Sequence, residues 1–161
     1  MPVELVVVHS ISLPAGVYRG DSIERLFTNR LDCDSHPDFG TLRGLRVSAH
    51  FLVRRRGGLV QFVSCDDRAW HAGASSWKGR ANCNDYSIGI ELEGLEGQHF
   101  TPSQYSVLGW LIPVLATRYP VRGVVGHEHV APGRKGDPGA GFDWVRLMAG
   151  IGMPGIIVPA V

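Results

Sequence analysis

The chain has 161 residues and sets 16 Lys and Arg against 15 Asp and Glu, a formal net charge of +1. That balance argues against a nucleic-acid surface, since the one basic run, Arg54-Arg55-Arg56, abuts Gly57-Gly58 and reads as a hairpin flank. An apolar content of 44% describes a single globular domain with one core rather than a disordered chain, and no apolar run approaches the length that spans a membrane.

From the N-terminus, Leu5-Val6-Val7-Val8 predicts a buried strand with His9 at its end. A loop with Pro14 and Gly16 follows, then a short helix through Phe27 that Asp21 or Ser22 can cap. Residues 49–55 and 59–64 flank Gly57-Gly58 as a hairpin. Residues 66–85 are irregular, and Trp70 and Trp77 within them argue for an ordered, functional loop. Ser87 to Glu93 alternates with period two, putting Ile88, Ile90 and Leu92 on one side and Gly89, Glu91 and Glu93 on the other. Thr101-Pro102-Ser103-Gln104 is a capping box with proline at the first helical position. It opens a helix to about Arg118 with Tyr105, Leu108, Ile112, Leu115 and Tyr119 on one face, which Pro113 should kink by removing a donor. Residues 121–125 form a strand leading to His127, and residues 143–148 a last short helix. The expected organisation is one α/β domain over residues 1–149, a mixed central β-sheet flanked by helices, with an uncharged Gly/Pro-containing tail over 150–161.

The chemistry gathers at strand ends. If the strands before His9 and His127 are neighbours and co-directional, both imidazoles sit at one sheet edge, where open α/β sheets bind ligands. Asp137 lies on a loop that Pro132, Gly133, Pro138 and Gly139 can fold back. Two imidazoles and a carboxylate from separate segments are the ligand set of a catalytic zinc site with a position open to water. The plainer reading has each histidine bonding a backbone carbonyl. His129 is a rival ligand, because alternate residues of an extended chain share a face. Lys135 shares the loop of Asp137 and can stabilise an oxyanion. Glu91, or equally Glu93, can act as general base and acid. His50 lies mid-strand among apolar residues and reads first as a satisfied core histidine. Trp70-His71-Ala72-Gly73 offers an aromatic face and an imidazole suited to a sugar or peptide.

Several segments in order carry a family likeness: Val7-Val8-His9 with Ile11-Ser12-Leu13-Pro14; Leu45-Arg46-Val47-Ser48-Ala49-His50; Arg68-Ala69-Trp70-His71-Ala72-Gly73; Asn84-Asp85-Tyr86-Ser87 through Glu91-Leu92-Glu93-Gly94; Gly126-His127; and Ala131-Pro132-Gly133-Arg134-Lys135 with Asp137-Pro138-Gly139. Across about residues 5–145 the chain resembles the zinc-dependent N-acetylmuramoyl-L-alanine amidases, in particular the AmpD-type cytoplasmic enzymes of cell-wall recycling. The resemblance implies a peptidoglycan-recognition-like fold, zinc held by His9, His127 and Asp137, Glu91 rather than Glu93 as general base and acid, and Lys135 stabilising the tetrahedral intermediate. It implies that His129 is not a ligand, and that Arg46, His50, Trp70, His71, Asn84 and Asp85 line or support the substrate cleft. The implied substrate is a 1,6-anhydro-N-acetylmuramyl peptide, cut between the lactyl group and L-alanine. The chain departs from the family at Ser10, where Asn is usual, at Gly136, where Thr is usual, and in its tail after Gly150.

Cys33, Cys65 and Cys83 include no CxxC, so a disulfide framework is not expected and a reducing compartment fits. The N-terminus carries no positive charge, and the apolar run at 5–8 is too short for an export signal, so a cytoplasmic monomer without membrane or nucleic-acid partners is expected. Two alternatives share the fold: an amidase acting on polymeric wall, and a non-catalytic recognition module, which would typically lack the full ligand set. An unrelated metalloprotease is disfavoured because no HExxH occurs.

Overall fold

The structure is a computed structural model that describes residues 2–159. A five-stranded mixed sheet forms its centre, in the order β3-β2-β6-β1-β7. The strands are β1 (Leu5–Ile11), β2 (Phe51–Val53), β3 (Leu59–Gln61), β6 (Ser87–Glu93) and β7 (Gly123–Gly126). The β2–β6, β6–β1 and β1–β7 pairs are parallel, and only the β2–β3 hairpin is antiparallel. The unbroken apolar run of β1 has its reason here, because a central parallel strand is covered on both faces. The strand continues past His9 to Ile11, since β6 offers it partners as far as Glu93.

Period-two alternation sends neighbouring side chains to opposite faces. Val6, Val8, Ile88, Ile90 and Leu92 pack against α2 (Pro102–Arg118) and α4 (Trp144–Ile151). Leu5 and Val7 face the other way, against Ala72, Cys83, Tyr86 and Val130. His9 continues the Leu5–Val7 face, and Glu91 continues the Ser87–Gly89 face, so both emerge on the side covered by loops. There α1 (Ser22–Phe27) packs Ile23, Leu26 and Phe27 against Ala49 and Leu52. The irregular segment 66–85 contains a small ribbon, β4 (Ser76–Trp77) with β5 (Arg80–Ala81), and a 3-10 turn at Cys83–Asp85.

The capping box forms as read: Gln104 N–H donates to Thr101 Oγ1 at 3.3 Å, and Thr101 N–H donates to Gln104 Oε1 at 3.0 Å. Pro113 sits inside α2 without ending it, because buried Leu108, Ile112 and Leu115 outweigh one missing donor. A Cβ on Gly109 would lie 3.3 Å from the Gly150 carbonyl, so a bare backbone lets α2 and α4 approach closely. The tail is built into the domain. Ile157 N–H donates to Arg122 O at 2.9 Å and Val124 N–H to Ile157 O at 2.8 Å, which covers the exposed edge of β7. Residues 160–161 lie outside the described residues. All three cysteines are free thiols.

Candidate metal centre and active site

Three elements bring the ligand candidates together. His9 is on β1, and its Cα pairs in register with Glu91 of β6. The β7 strand stops at Gly126, and His127 opens the one-turn helix α3 (His127–Val130). Within that turn His127 and His129 no longer share a face. His129 Nδ1 instead accepts from Gly126 N–H at 3.0 Å and its ring meets Trp144, so the extended-chain rival reading of His129 is corrected. Asp137 returns to this point because its carbonyl accepts from Glu128 N–H at 2.9 Å.

The loop beyond Asp137 packs on residues 95–98, and Gly97 N–H donates to Pro138 O at 3.1 Å. A Cβ on Gly141 would sit 2.2 Å from Gln98 O, so the two backbones admit only glycine there. Beside Gly136 the space is filled from across the cleft: a Cβ would lie 2.3 Å from Glu96 Oε1.

His9 Nδ1 and His127 Nδ1 are 3.0 Å apart, and Asp137 Oδ2 is 3.2 Å from each. The imidazoles are only 1% and 4% exposed. His127 Nε2 lies 3.1 Å from the Ala72 carbonyl, which only accepts, so its proton is on Nε2 and its Nδ1 lone pair points at Asp137. A bare nitrogen and a carboxylate repel unless a cation lies between them. This N, N, O donor set therefore fits a divalent metal, and it matches the two-imidazole, one-carboxylate pattern of catalytic zinc. Burial is the largest influence on His9 and lowers its pKa to about 4, which leaves it neutral and able to ligate at neutral pH.

Beside the donors, Glu91 is buried, and its Oε2 meets no hydrogen-bond partner among the described residues. Burial first, and the Asp137 carboxylate second, hold its pKa well above the carboxylate range, against an opposing pull from Lys135. Glu93, equal to Glu91 by pattern, is spent elsewhere: it pairs with the Arg54 guanidinium and accepts from Arg55 N–H at 3.0 Å. Glu91 and Lys135 line the same cleft as the ligands, a space of about 560 Å³ with an apolar wall of Leu26, Phe27, Leu42 and Leu45.

The substrate-binding candidates separate. Trp70 is 58% exposed and lines the cleft with its ring under Arg68, whose guanidinium carbon lies 3.7 Å from the ring centroid. Arg46 lines an adjoining pocket. His71 borders the cleft, but its ring is engaged with His9 at 2.9 Å and Ser87 at 3.3 Å. Asn84 Oδ1 accepts from His71 N–H at 3.0 Å and Ala72 N–H at 2.8 Å, which fixes the Trp70–Ala72 segment from behind. Asp85 holds Arg68 through a 2.6 Å ion pair. His50 accepts from Gly89 N–H at 3.0 Å and donates to Asp67 O at 3.1 Å, so both its nitrogens are used by backbone and it supports the site without facing it. Ser87, Glu96, Arg134 and the Ala72 carbonyl belong to this neighbourhood without having been singled out from sequence. Of these, Ser87 and Arg134 lie within the segments of the likeness; Arg134 ties the loop to Ala72 O at 2.6 Å.

This sheet carries, at the end of its parallel strands, a two-histidine, one-carboxylate cluster whose donor atoms suit a metal ion. The family model for N-acetylmuramoyl-L-alanine amidase matches residues 1–140, and the chain belongs to that family. It is 52% identical over 147 residues to the 1,6-anhydro-N-acetylmuramyl-L-alanine amidase AmpD of Citrobacter freundii, covering 90% of this chain and 79% of that one. A crystal structure of a selenomethionine AmpD derivative superposes with a TM-score of 0.92 at 50% identity, over 94% of this chain and 86% of the other. The Escherichia coli amidase AmiD, solved in complex with the substrate anhydro-N-acetylmuramic acid-L-Ala-D-γ-Glu-L-Lys, superposes with a TM-score of 0.68 at 31% identity, over 92% of this chain and 57% of that one. No described helix is long and apolar enough to cross a membrane.

Proposed function

We propose that this enzyme is a zinc-dependent 1,6-anhydro-N-acetylmuramyl-L-alanine amidase of peptidoglycan recycling, hydrolysing the amide between the muramic lactyl carbonyl and L-alanine. The observation that carries the reading is the convergence of His9 Nδ1, His127 Nδ1 and Asp137 beside a buried Glu91 whose Oε2 has no partner among the described residues. The names of its relatives support the substrate. In this reading His9, His127 and Asp137 hold zinc, which when bound supplies a Lewis acid that polarises the carbonyl and acidifies water.

Glu91 takes a proton from the attacking water and returns it to the alanine nitrogen as the C–N bond breaks. Its raised pKa suits both steps, because a base stronger than an ordinary carboxylate becomes a usable acid once protonated. The Lys135 ammonium opposes the negative charge that develops on the lactyl oxygen. Exposed Trp70 and the Leu26–Phe27–Leu42–Leu45 wall receive the apolar faces of sugar and peptide. All five reacting and ligating groups lie on this chain, so the site needs no residue from a partner subunit, and three free thiols suit the cytoplasm.

Mass-spectrometric digestion of anhydromuramyl-tripeptide and of intact sacculi tests this, with zinc, with chelator and with zinc restored. Zinc-dependent release of free tripeptide from the soluble substrate alone is expected. Release from sacculi would move the enzyme to the wall-lytic branch, and cleavage of neither would leave a recognition module.

A further inference from the structure

Ser87 is buried and His71 half-buried beside the ligands, neither with a role in the chemistry above, and the hydrogen bonds joining them have a direction. Ser87 Oγ lies 2.6 Å from the Cys83 carbonyl. A carbonyl only accepts, so the single hydroxyl proton is committed to Cys83. His71 Nε2 lies 3.3 Å from the same Oγ, which has only lone pairs left to offer, so Nε2 carries the proton. No carboxylate bonds the His71 ring among the described residues, and His9 and His50 crowd it with ring centroids 5.0 and 5.9 Å away, so the ring is a neutral imidazole with one N–H. Its Nδ1 is therefore an acceptor. It lies 2.9 Å from His9 Nε2, which must donate. That leaves His9 Nδ1 bare and pointing at His127 Nδ1 and Asp137 Oδ2.

The arrangement is built rather than incidental. A Cβ on Gly89 would fall 2.4 Å from His71 Cγ, so the ring rests directly on the backbone of β6. Asn84 fixes the His71 main chain. His127 reaches the same tautomer through one carbonyl, Ala72 O, whereas His9 reaches it through two side chains and Cys83 O.

We propose that Ser87 and His71 are positioning residues: a one-way hydrogen-bond relay, anchored on the Cys83 carbonyl, that fixes His9 in its Nε2–H tautomer and presents Nδ1 to the metal. The relay rests on the reading of His9 as a zinc ligand. Outer partners of ligating histidines typically contribute about 10–100-fold in metal affinity.

Long-range ¹H–¹⁵N spectra of the zinc-loaded protein read the tautomers directly, and need no variant. His9 and His71 are both expected protonated at Nε2. In Ser87→Ala, His71 should lose its single tautomer, and the zinc Kd, measured by competition with a chromogenic chelator, should rise about 10–100-fold. Ser87→Thr, which keeps the hydroxyl, should restore both. A His71 ring protonated at Nδ1 in the wild type overturns the relay, as does a Ser87→Ala protein with wild-type Kd. A wild-type protein that binds no zinc fails the metal reading itself, and the relay with it.

Discussion

Replacing Glu91 by Gln separates catalysis from stability, because the structure assigns the two opposite signs. The amide keeps the shape of the carboxyl group but accepts no proton at neutral pH. Loss of a positioned general base and acid costs about 10²–10⁴ in rate, or about 3–5 kcal/mol of transition-state stabilisation at about 1.4 kcal/mol per decade. Stability should move the other way. Glu91 is buried with Oε2 unpartnered, and its charged form is disfavoured by burial and by Asp137. Its folded pKa exceeds the unfolded reference of 4.5, so the native state holds the proton more tightly. The stability this contributes is complete below pH 4.5 and is lost as pH rises through the folded value. Glutamine carries no charge to desolvate, so the variant should gain on the wild type as pH rises above about 4.5. The assay pairs kcat on anhydromuramyl-tripeptide with thermal melts between pH 4.5 and 8, in zinc and in chelator. Near-wild-type kcat with zinc retained would refute Glu91 as the base. A melting point several degrees below wild type at pH 8 would refute the account of its burial.

Zinc at about 1,000 times its Kd should stabilise the fold by about 4 kcal/mol, a gain absent in chelator and in Asp137→Ala; equal melting points with and without zinc would contradict the donor set. His50 has its pKa lowered from 6.5, chiefly by burial, so the native state binds fewer protons than the unfolded one and stability falls as pH drops below about 6.5. Acid melts of His50→Gln should therefore have a shallower slope over that range, and an unchanged slope would count against a neutral buried His50. Trp70→Ala should raise KM with little change in kcat and alter stability by less than about 0.5 kcal/mol, as for exposed positions; steady-state kinetics would expose the error if kcat fell instead.

Much of the site was legible because its carriers are local. The capping box at Thr101 and Gln104, the alternation of Ser87–Glu93 and the Gly/Pro loop around Asp137 each write their geometry into neighbouring residues. Phase along one strand put Glu91 and Glu93 on one face, and a strand pattern contains nothing more. Pairing with Arg54 removed Glu93, and Arg54 is 39 residues away in sequence. His129 is a similar case. The HxH spacing favours shared ligation only in extended chain, and the early end of β7 at Gly126 turned the pair into a helical one.

Periodicity and capping are properties of residues close together in the chain, and they made the α/β class, the main strands and helices and the candidate side chains readable, but not the β4–β5 ribbon or α3. The tertiary fold placed β1 between β6 and β7, so that His9 meets Glu91 and His127. It alone decided that both faces of β6 are buried. It also decided which nitrogen of each histidine is free for a metal. That choice falls to the carbonyls of Ala72 and Cys83. Every residue has a carbonyl, so no sequence pattern marks the ones that a fold will use.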